Sequence, residues 1–206
     1  MRPERIPIFP LEAVLFPSVS LPLHIFEPRY QEMTGLCLDN KEEFGVVLQN
    51  EEGIAAVGCT AEIIEVLKKY EDGRMDILTV GRSVFRVEEV LQEKEYYEAR
   101  VAYLEDKVSA VSPARQKELL EKFEQCHKLL YGQPAPMTDV NATPSVAFHV
   151  ASELPLDLDF KQELLAARAE AERQSALLER LKEWAPQLAQ MNHVKKKAAG
   201  NGHGLS

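Results

Sequence analysis

The sequence has few of the features that mark disulfide-linked or membrane-spanning proteins. Three cysteines, Cys37, Cys59 and Cys126, lie far apart in 206 residues and form no C-x-x-C pair. An odd, scattered set argues against a disulfide framework and against zinc, so we expect reduced, buried thiols. The start MRPERIPIFP is not a secretory signal, and no apolar stretch approaches the ~20 residues of a transmembrane helix. We therefore expect a cytoplasmic protein without a membrane anchor.

Motifs for nucleotide binding and catalysis are also missing from the sequence. No glycine is followed by lysine, which rules out a G-x-x-x-x-G-K-[ST] phosphate loop. The histidines form no H-E-x-x-H pattern, and there is no G-x-S-x-G elbow. We therefore expect no catalytic, metal-binding or cofactor-binding residues and no enzyme activity.

The charge balance is acidic, with a formal net charge of -9. An acidic surface repels phosphate backbones, which disfavours nucleic acid and anionic membranes as partners. RNA binding nevertheless stays open as an alternative, because aromatic and basic residues occur close together in one segment. These residues are Lys68, Lys69, Tyr70, Arg74, Arg82, Phe85 and Arg86.

Proline is abundant near the start, where five prolines interrupt short apolar pieces between Ile6 and Tyr30. Proline fixes φ and donates no backbone hydrogen bond, so neither a helix nor a long central strand can run through this segment. Short strands bent at proline corners are typical of a small, closed β-structure.

The pattern after Tyr30 predicts one helix and then several strands. Glu27 and Pro28 open the helix, whose buried face holds Tyr30, Met33 and Cys37. Strands are predicted at 44–50, from Gly58 to Tyr70 (with a helix as the alternative), from Met75 onward with a kink at Gly81-Arg82, and at 97–103. Glu71-Asp72-Gly73 indicates a hairpin turn.

The second half of the chain has helical periodicity. Ser112 is a predicted N-cap and Gly132 a predicted stop. Thr143-Pro144 begins a short helix, and a long helix runs from Asp157 or Asp159 to about Trp184, ended by Pro186. The prediction is thus an α+β protein with a β domain at 1–107, a helical domain at 112–186 and a flexible tail at 187–206.

Two long segments resemble a known family. PLEAVLFPSVSLPLHIFEPRY is similar to the opening signature of the Lon amino-terminal, or substrate-binding, domain. SELPLDLDFKQELLAARAEAERQSALLERL resembles the late helix of the same family. The resemblance implies a PUA-like pseudo-barrel followed by a helical bundle with one long helix.

The same resemblance implies a function. It suggests a stand-alone module that binds unfolded or substrate polypeptides without catalysis, as an adaptor in protein quality control. The partner would be a polypeptide substrate or another protein, such as a separate protease. We expect the ATPase and serine-lysine protease domains of Lon to be absent, and self-association stays open.

The polar residues nearest to apolar ones in the first signature are the candidate site. They are His24, Phe26, Glu27, Arg29 and Tyr30. One interpretation is structural: Glu27 and Arg29 hold the corner by charge-assisted hydrogen bonds, and His24 packs with a satisfied ring nitrogen. The other makes all five the rim of a groove for an extended peptide. Phe9, Phe16 and Phe26 are predicted as core.

Overall fold

A computed structural model describes residues 2–137 and 144–200. Within this part of the chain, the strands are β1 (Arg5–Leu11), β2 (Ser20–Ile25), β3 (Phe44–Asn50), β4 (Gly53–Lys69), β5 (Met75–Leu91) and β6 (Glu98–Tyr103). The helices are α1 (Pro28–Asn40), α2 (Pro113–Tyr131), α3 (Val146–Glu153), α4 (Leu158–Ala166) and α5 (Glu170–Gly200). The α+β class predicted from the sequence is confirmed.

Five of the strands form a closed ring. β1 pairs in parallel with β3 and antiparallel with β6, and β6 also pairs with the second half of β5. Since β4 joins β3 to β5, the ring closes on itself, and β2 is attached to the first half of β5. Because the ring is closed, each of its five strands is hydrogen-bonded to a neighbouring strand on both sides. The interior is filled by Ile6, Ile8, Val47, Phe85, Ala99 and Val101.

The proline-rich connection between β1 and β2 is fastened to β5 at one glycine. Ser18 donates its backbone N–H to the carbonyl of Gly81 at 2.8 Å, and Gly81 donates to Val19 at 2.9 Å. A Cβ on Gly81 would lie 2.1 Å from the carbonyl oxygen of Phe16, so no other residue fits there without a shift. The kink predicted at Gly81 corresponds to a shift in the register of the β4–β5 pairing, next to Cys59. β5 itself continues through this position.

The first helix follows the predicted pattern. α1 begins at Pro28, and Tyr30, Met33 and Cys37 are buried along one face. Its last turn is closed by Lys41 in the left-handed conformation, at φ 58°. The long strand predicted between Gly58 and Tyr70 is also confirmed, and Gly73 turns the hairpin at φ 89°.

The described residues group into two compact units, which divide after Asp106, after Leu154 and after Arg168. The first contains the barrel with α1 and α4, although the sequence led us to count α4 with the helical domain. The second contains α2, α3 and α5, and α5 packs against both other helices. Ser112 caps α2 and Gly132 ends it, as predicted.

The single long helix predicted from Asp157 or Asp159 is wrong, because residues 167–169 interrupt it. Ala167 is extended, with φ −62° and ψ 137°. Arg168 then donates from Nη2 to the carbonyl of Leu104 at 2.7 Å and to the carboxylate of Asp106 at 2.9 Å. The apolar periodicity of the sequence continues across this break, so no local pattern predicts the break, and the long-range contacts of Arg168 account for it.

The predicted helix end at Pro186 is also wrong. α5 contains Pro186 and continues to Gly200, so residues 187–200 of the predicted flexible tail are helical. Leu181, Ala185 and Leu188 are buried before and after the proline, and this packing offsets the hydrogen bond that proline removes. Ser145 rather than Thr143 caps the short helix α3. Thr143 and residues 201–206 lie outside the described residues.

Candidate functional site

An open cleft of about 810 Å³ lies in the first unit, where β1 and β2 end and α1 begins. All five candidate residues from the sequence line it: His24, Phe26, Glu27, Arg29 and Tyr30. The remaining lining comes from Phe9, Pro10, Leu11, Glu12, Leu23, Gln49, Asn50 and Glu51. The fold thus places the candidate residues along one concave surface, and their part in binding stays a prediction.

The corner between β2 and α1 is held by an ion pair. Glu27 occupies the N-cap position, but its carboxylate accepts hydrogen bonds from Arg29, from Nε at 2.9 Å and from Nη2 at 2.7 Å. The Arg29 guanidinium also lies 4.6 Å from the centre of the Tyr30 ring. The charge-assisted hydrogen bond predicted for this corner is confirmed. Because Arg29 is occupied in this way, its charge is largely neutralised on the cleft wall.

His24 is part of a hydrogen-bonded group that continues beyond the cleft. Its Nδ1 lies 2.5 Å from one carboxylate oxygen of Asp76, and Tyr70 donates its hydroxyl to the other oxygen at 2.8 Å. These two hydrogen bonds, first from His24 and then from Tyr70, lower the pKa of Asp76. The satisfied ring nitrogen predicted for His24 is confirmed, although the side chain is exposed rather than packed in the core.

Phe26 is the residue that departs from the core prediction. Phe9 and Phe16 are buried as predicted, whereas 59% of Phe26 is exposed. Phe26 follows the buried Ile25, and successive side chains alternate in direction along an extended chain. The ring stacks on His24 with centroids 5.9 Å apart, and the backbone carbonyl accepts a hydrogen bond from Gln31 at 2.9 Å. An exposed phenyl ring is thus held in a defined place.

The floor of the cleft is apolar. The rings of Phe9 and Tyr30 are packed with centroids 4.1 Å apart, and Phe9 also contacts the ring of Phe44 at 6.2 Å. Leu11 and Leu23 are half-buried beside them. Burial raises the pKa of the Tyr30 phenol, so this ring stays neutral. An apolar floor with a polar rim is the usual composition of a binding cleft.

Several residues in and behind the cleft were not predicted from the sequence. Glu12 and Glu51 stand at the rim, and Tyr70 and Asp76 support His24. Asp76 faces His24 directly across the β2–β5 pairing. The turn that includes Glu51 was predicted, but its proximity to the candidate residues depends on the parallel pairing of β1 with β3, which spans distant parts of the chain.

Across residues 2–137 and 144–200, no three His, Cys, Asp or Glu side chains are grouped as metal ligands. The cysteines are buried, as predicted, and burial raises the pKa of Cys37 to about 12 and of Cys126 to about 11. The helices in these residues are too short or too polar to cross a membrane.

Three residues of the basic segment considered for RNA are arranged unfavourably. Phe85 is fully buried and cannot stack on a base. Arg82 pairs with Glu62, and Arg74 pairs with Asp72 at 2.7 Å. These arginines therefore meet carboxylates rather than forming an open basic patch.

Solved structures share this fold. A Lon N-terminal domain protein from Xanthomonas campestris superposes with a TM-score of 0.66 at 25% identity, covering 84% of this chain and 96% of that one. The N-terminal domain of a Mycobacterium avium complex Lon protease gives a TM-score of 0.65 at 13% identity, covering 86% and 98%.

Sequence comparison agrees with the structural comparison. Lon proteases from Brevibacillus choshinensis and Escherichia coli are 28% identical over 190 residues and 27% identical over 188 residues. These alignments cover 85% and 80% of this chain, but 24% of each relative, so the chain spans about a quarter of their length. The profile of the ATP-dependent protease La (LON) substrate-binding domain matches residues 5–183. The chain therefore belongs to the Lon substrate-binding domain family.

Proposed function

We propose that this domain binds unfolded or extended polypeptide segments in the cleft between β1, β2 and α1. The observation that carries the proposal is Phe26, whose ring is largely exposed yet fixed above an apolar floor. Phenylalanine, like tyrosine and tryptophan, buries a large apolar area and contributes strongly to the energetics of protein interfaces. The family description as a substrate-binding domain supports the same function.

The cleft suits side-chain recognition better than strand addition. β2 carries Pro22, which has no N–H to donate to an added strand. Apolar side chains of a bound segment would instead lie on Phe9, Leu23 and Phe26. Exposed amides of Gln49 and Asn50 at the rim can donate to and accept from the segment's backbone.

The wider role follows from this binding activity. We infer that the domain holds polypeptides without breaking bonds and presents them to a protease as an adaptor in cytoplasmic protein quality control. This inference is supported by the match, which falls on the substrate-binding part of the Lon proteases.

A paired substitution tests the proposal. Phe26→Ser is expected to weaken binding of a fluorescently labelled, chemically unfolded protein about tenfold, since one anchoring aromatic contributes on this scale. Leu67→Ser is the matched control, because Leu67 is 52% exposed in the same unit but does not line the cleft. Binding is measured by fluorescence anisotropy, and circular dichroism verifies the fold of both variants.

Two outcomes would contradict the proposal. Equal losses in both variants would mean that general surface hydrophobicity, not the cleft, determines binding. The second is tight binding of a single-stranded RNA that weakens steeply with salt, which would favour the RNA alternative.

A further inference from the structure

The rim of the cleft carries carboxylates that are not neutralised. Glu12 follows β1 and Glu51 follows β3, and both side chains are exposed. Among residues 2–137 and 144–200, neither forms an ion pair. Both belong to the lining of the cleft, whereas Glu27, a third lining carboxylate, is paired with Arg29.

The basic side chains of the cleft already have carboxylate partners. Arg29 is bound to Glu27 at 2.7 Å, and His24 is bound to Asp76. The lining therefore has an excess of negative charge at Glu12 and Glu51. A bound segment with acidic side chains would bring like charges together, whereas a lysine or arginine would find a partner.

The aromatic ring of Phe26 favours the same occupant. It stacks on His24 on one side, and more than half of its surface is exposed. A cation over the face of an aromatic ring is attracted by the ring's quadrupole. Arg29 shows this geometry within the cleft, over Tyr30 at 4.6 Å.

We propose that the cleft selects polypeptide segments in which lysine or arginine flanks apolar residues, and discriminates against segments flanked by aspartate or glutamate. This selectivity rests on the polypeptide binding proposed above. Apolar side chains occupy the floor, and the flanking cation pairs with Glu12 or Glu51 at the rim. The domain thereby acts as a charge filter as well as a hydrophobic binding site.

Three fluorescent peptides with one apolar core test the selectivity, flanked by Lys, by Ser or by Glu. The Lys-flanked peptide is expected to bind about three- to tenfold more tightly than the Glu-flanked one, since exposed charge pairs contribute on this scale. The difference shrinks with added salt because exposed charges are screened.

Charge-neutral variants locate the effect. In the double variant Glu12→Gln with Glu51→Gln, the ratio of the two affinities is expected to fall to about one or two. The control is Glu65→Gln with Glu88→Gln, which changes the net charge equally at exposed positions outside the cleft. This control is expected to retain the preference for lysine.

The peptides separate the two proposals. If the Ser-flanked peptide binds and weakens in Phe26→Ser, but charge makes no difference, the charge filter alone is wrong. A lysine preference that persists in the double variant, or disappears equally in the control, also overturns it. If no peptide binds in a manner that depends on Phe26, polypeptide binding by this cleft fails, and the charge filter fails with it.

Discussion

The two units of this protein place their charged groups differently. The first unit has an apolar interior, where the ring of Phe85 is packed so closely against Gly45 and Gly58 that a Cβ at either position would lie 2.6 Å away. Apart from Arg168, its paired arginine side chains are substantially exposed, as between Arg82 and Glu62, whose side chains are both almost half exposed. Glu98 is the buried carboxylate of this unit, and its partner Arg5 is 41% exposed. The second unit instead encloses a guanidinium, because Arg173 is only 1% exposed.

The buried guanidinium of Arg173 belongs to a hydrogen-bonded group at the start of α5. Arg173 donates from Nε to Glu170 at 3.1 Å and lies 4.2 Å from the centre of the Phe148 ring. Glu170 also accepts from the hydroxyl of Ser145 at 2.6 Å and from the backbone N–H of Ala147 at 3.0 Å. This carboxylate therefore joins α5 to the first turn of α3.

This difference between buried and exposed charges indicates which charged residues can be substituted without a large loss of stability. A charge enclosed by packed side chains cannot be removed without leaving its partner unpaired, which is costly. Exposed charges at the rim of the cleft in the first unit can be removed without leaving a buried partner unpaired. Substitution there is expected to alter binding, and substitution in the second unit is expected to alter folding.

The first prediction, with the largest expected effect on stability, concerns the close contact between Gly81 and the backbone of Phe16 in the first unit. Gly81→Ala should destabilise this unit by about 3 kcal/mol, because the new methyl group clashes with a backbone carbonyl that cannot rotate away. The same methyl would lie 3.2 Å from the Cys59 sulfur. Urea denaturation measures the loss, and thiol labelling followed by mass spectrometry reports exposure of Cys59.

The control for this substitution is Gly35→Ala. Nothing lies within 4 Å of a Cβ at Gly35, which is in the middle of α1. Alanine there should stabilise the protein by about 1 kcal/mol. Labelling of Cys126, in the second unit, should rise less than labelling of Cys59 in Gly81→Ala, and equal labelling of both would contradict separate responses of the two units.

The second prediction concerns the buried charge. Glu170→Gln should destabilise the second unit by about 2 kcal/mol, because the amide keeps one acceptor oxygen but removes the negative charge beside Arg173. Here Cys126 should label before Cys59. Glu179→Gln is the control, since Glu179 pairs with Lys182 at the surface and should change stability by less than about 0.5 kcal/mol. Similar losses in both variants would show that the burial of the pair is unimportant.

Local signals in the sequence predicted most of the elements. Proline and serine at the start of α2, glycine at its end and the continuous apolar run of β3 are short-range patterns, and the structure agrees with each of them. Errors arose where a distant contact decides the outcome. The break at Ala167 follows from the contacts of Arg168, and the helix continues past Pro186 because Leu188 is buried.

The candidate site shows the same limit. A family signature brought His24, Phe26 and Arg29 to attention, but the sequence could not show that Phe26 is exposed or that Glu51 is nearby. Exposure of Phe26 depends on which neighbour enters the core. Proximity of Glu51 depends on the pairing of β1 with β3, which no local pattern specifies.

The smallest expected effect concerns the exposed hydrogen-bonded group behind the cleft. Hydrogen bonds from His24 and Tyr70 hold the pKa of Asp76 below its ordinary value of 3.8, so folding favours the ionised carboxylate. This contribution to stability is present above the ordinary pKa and is lost as pH falls through the lower pKa of the folded state. His24→Gln should raise the pKa of Asp76 toward 3.8, as measured by NMR titration of the carboxyl carbon.

Asp72 provides the control within the same spectrum. Partial burial raises its pKa, and hydrogen bonds from Arg74 lower it further than burial raises it. Since Asp72 has no contact with His24, its titration should be unchanged in His24→Gln. If Asp76 titrates identically in both proteins, His24 does not hold this carboxylate, and the hydrogen bond from Tyr70 with the nearby charge of Lys68 must account for the low pKa. If the pKa of both carboxyls shifts, the substitution has rearranged the hairpin. The charges near the cleft would then be coupled to the local fold, and the effects of substituting them would not be independent.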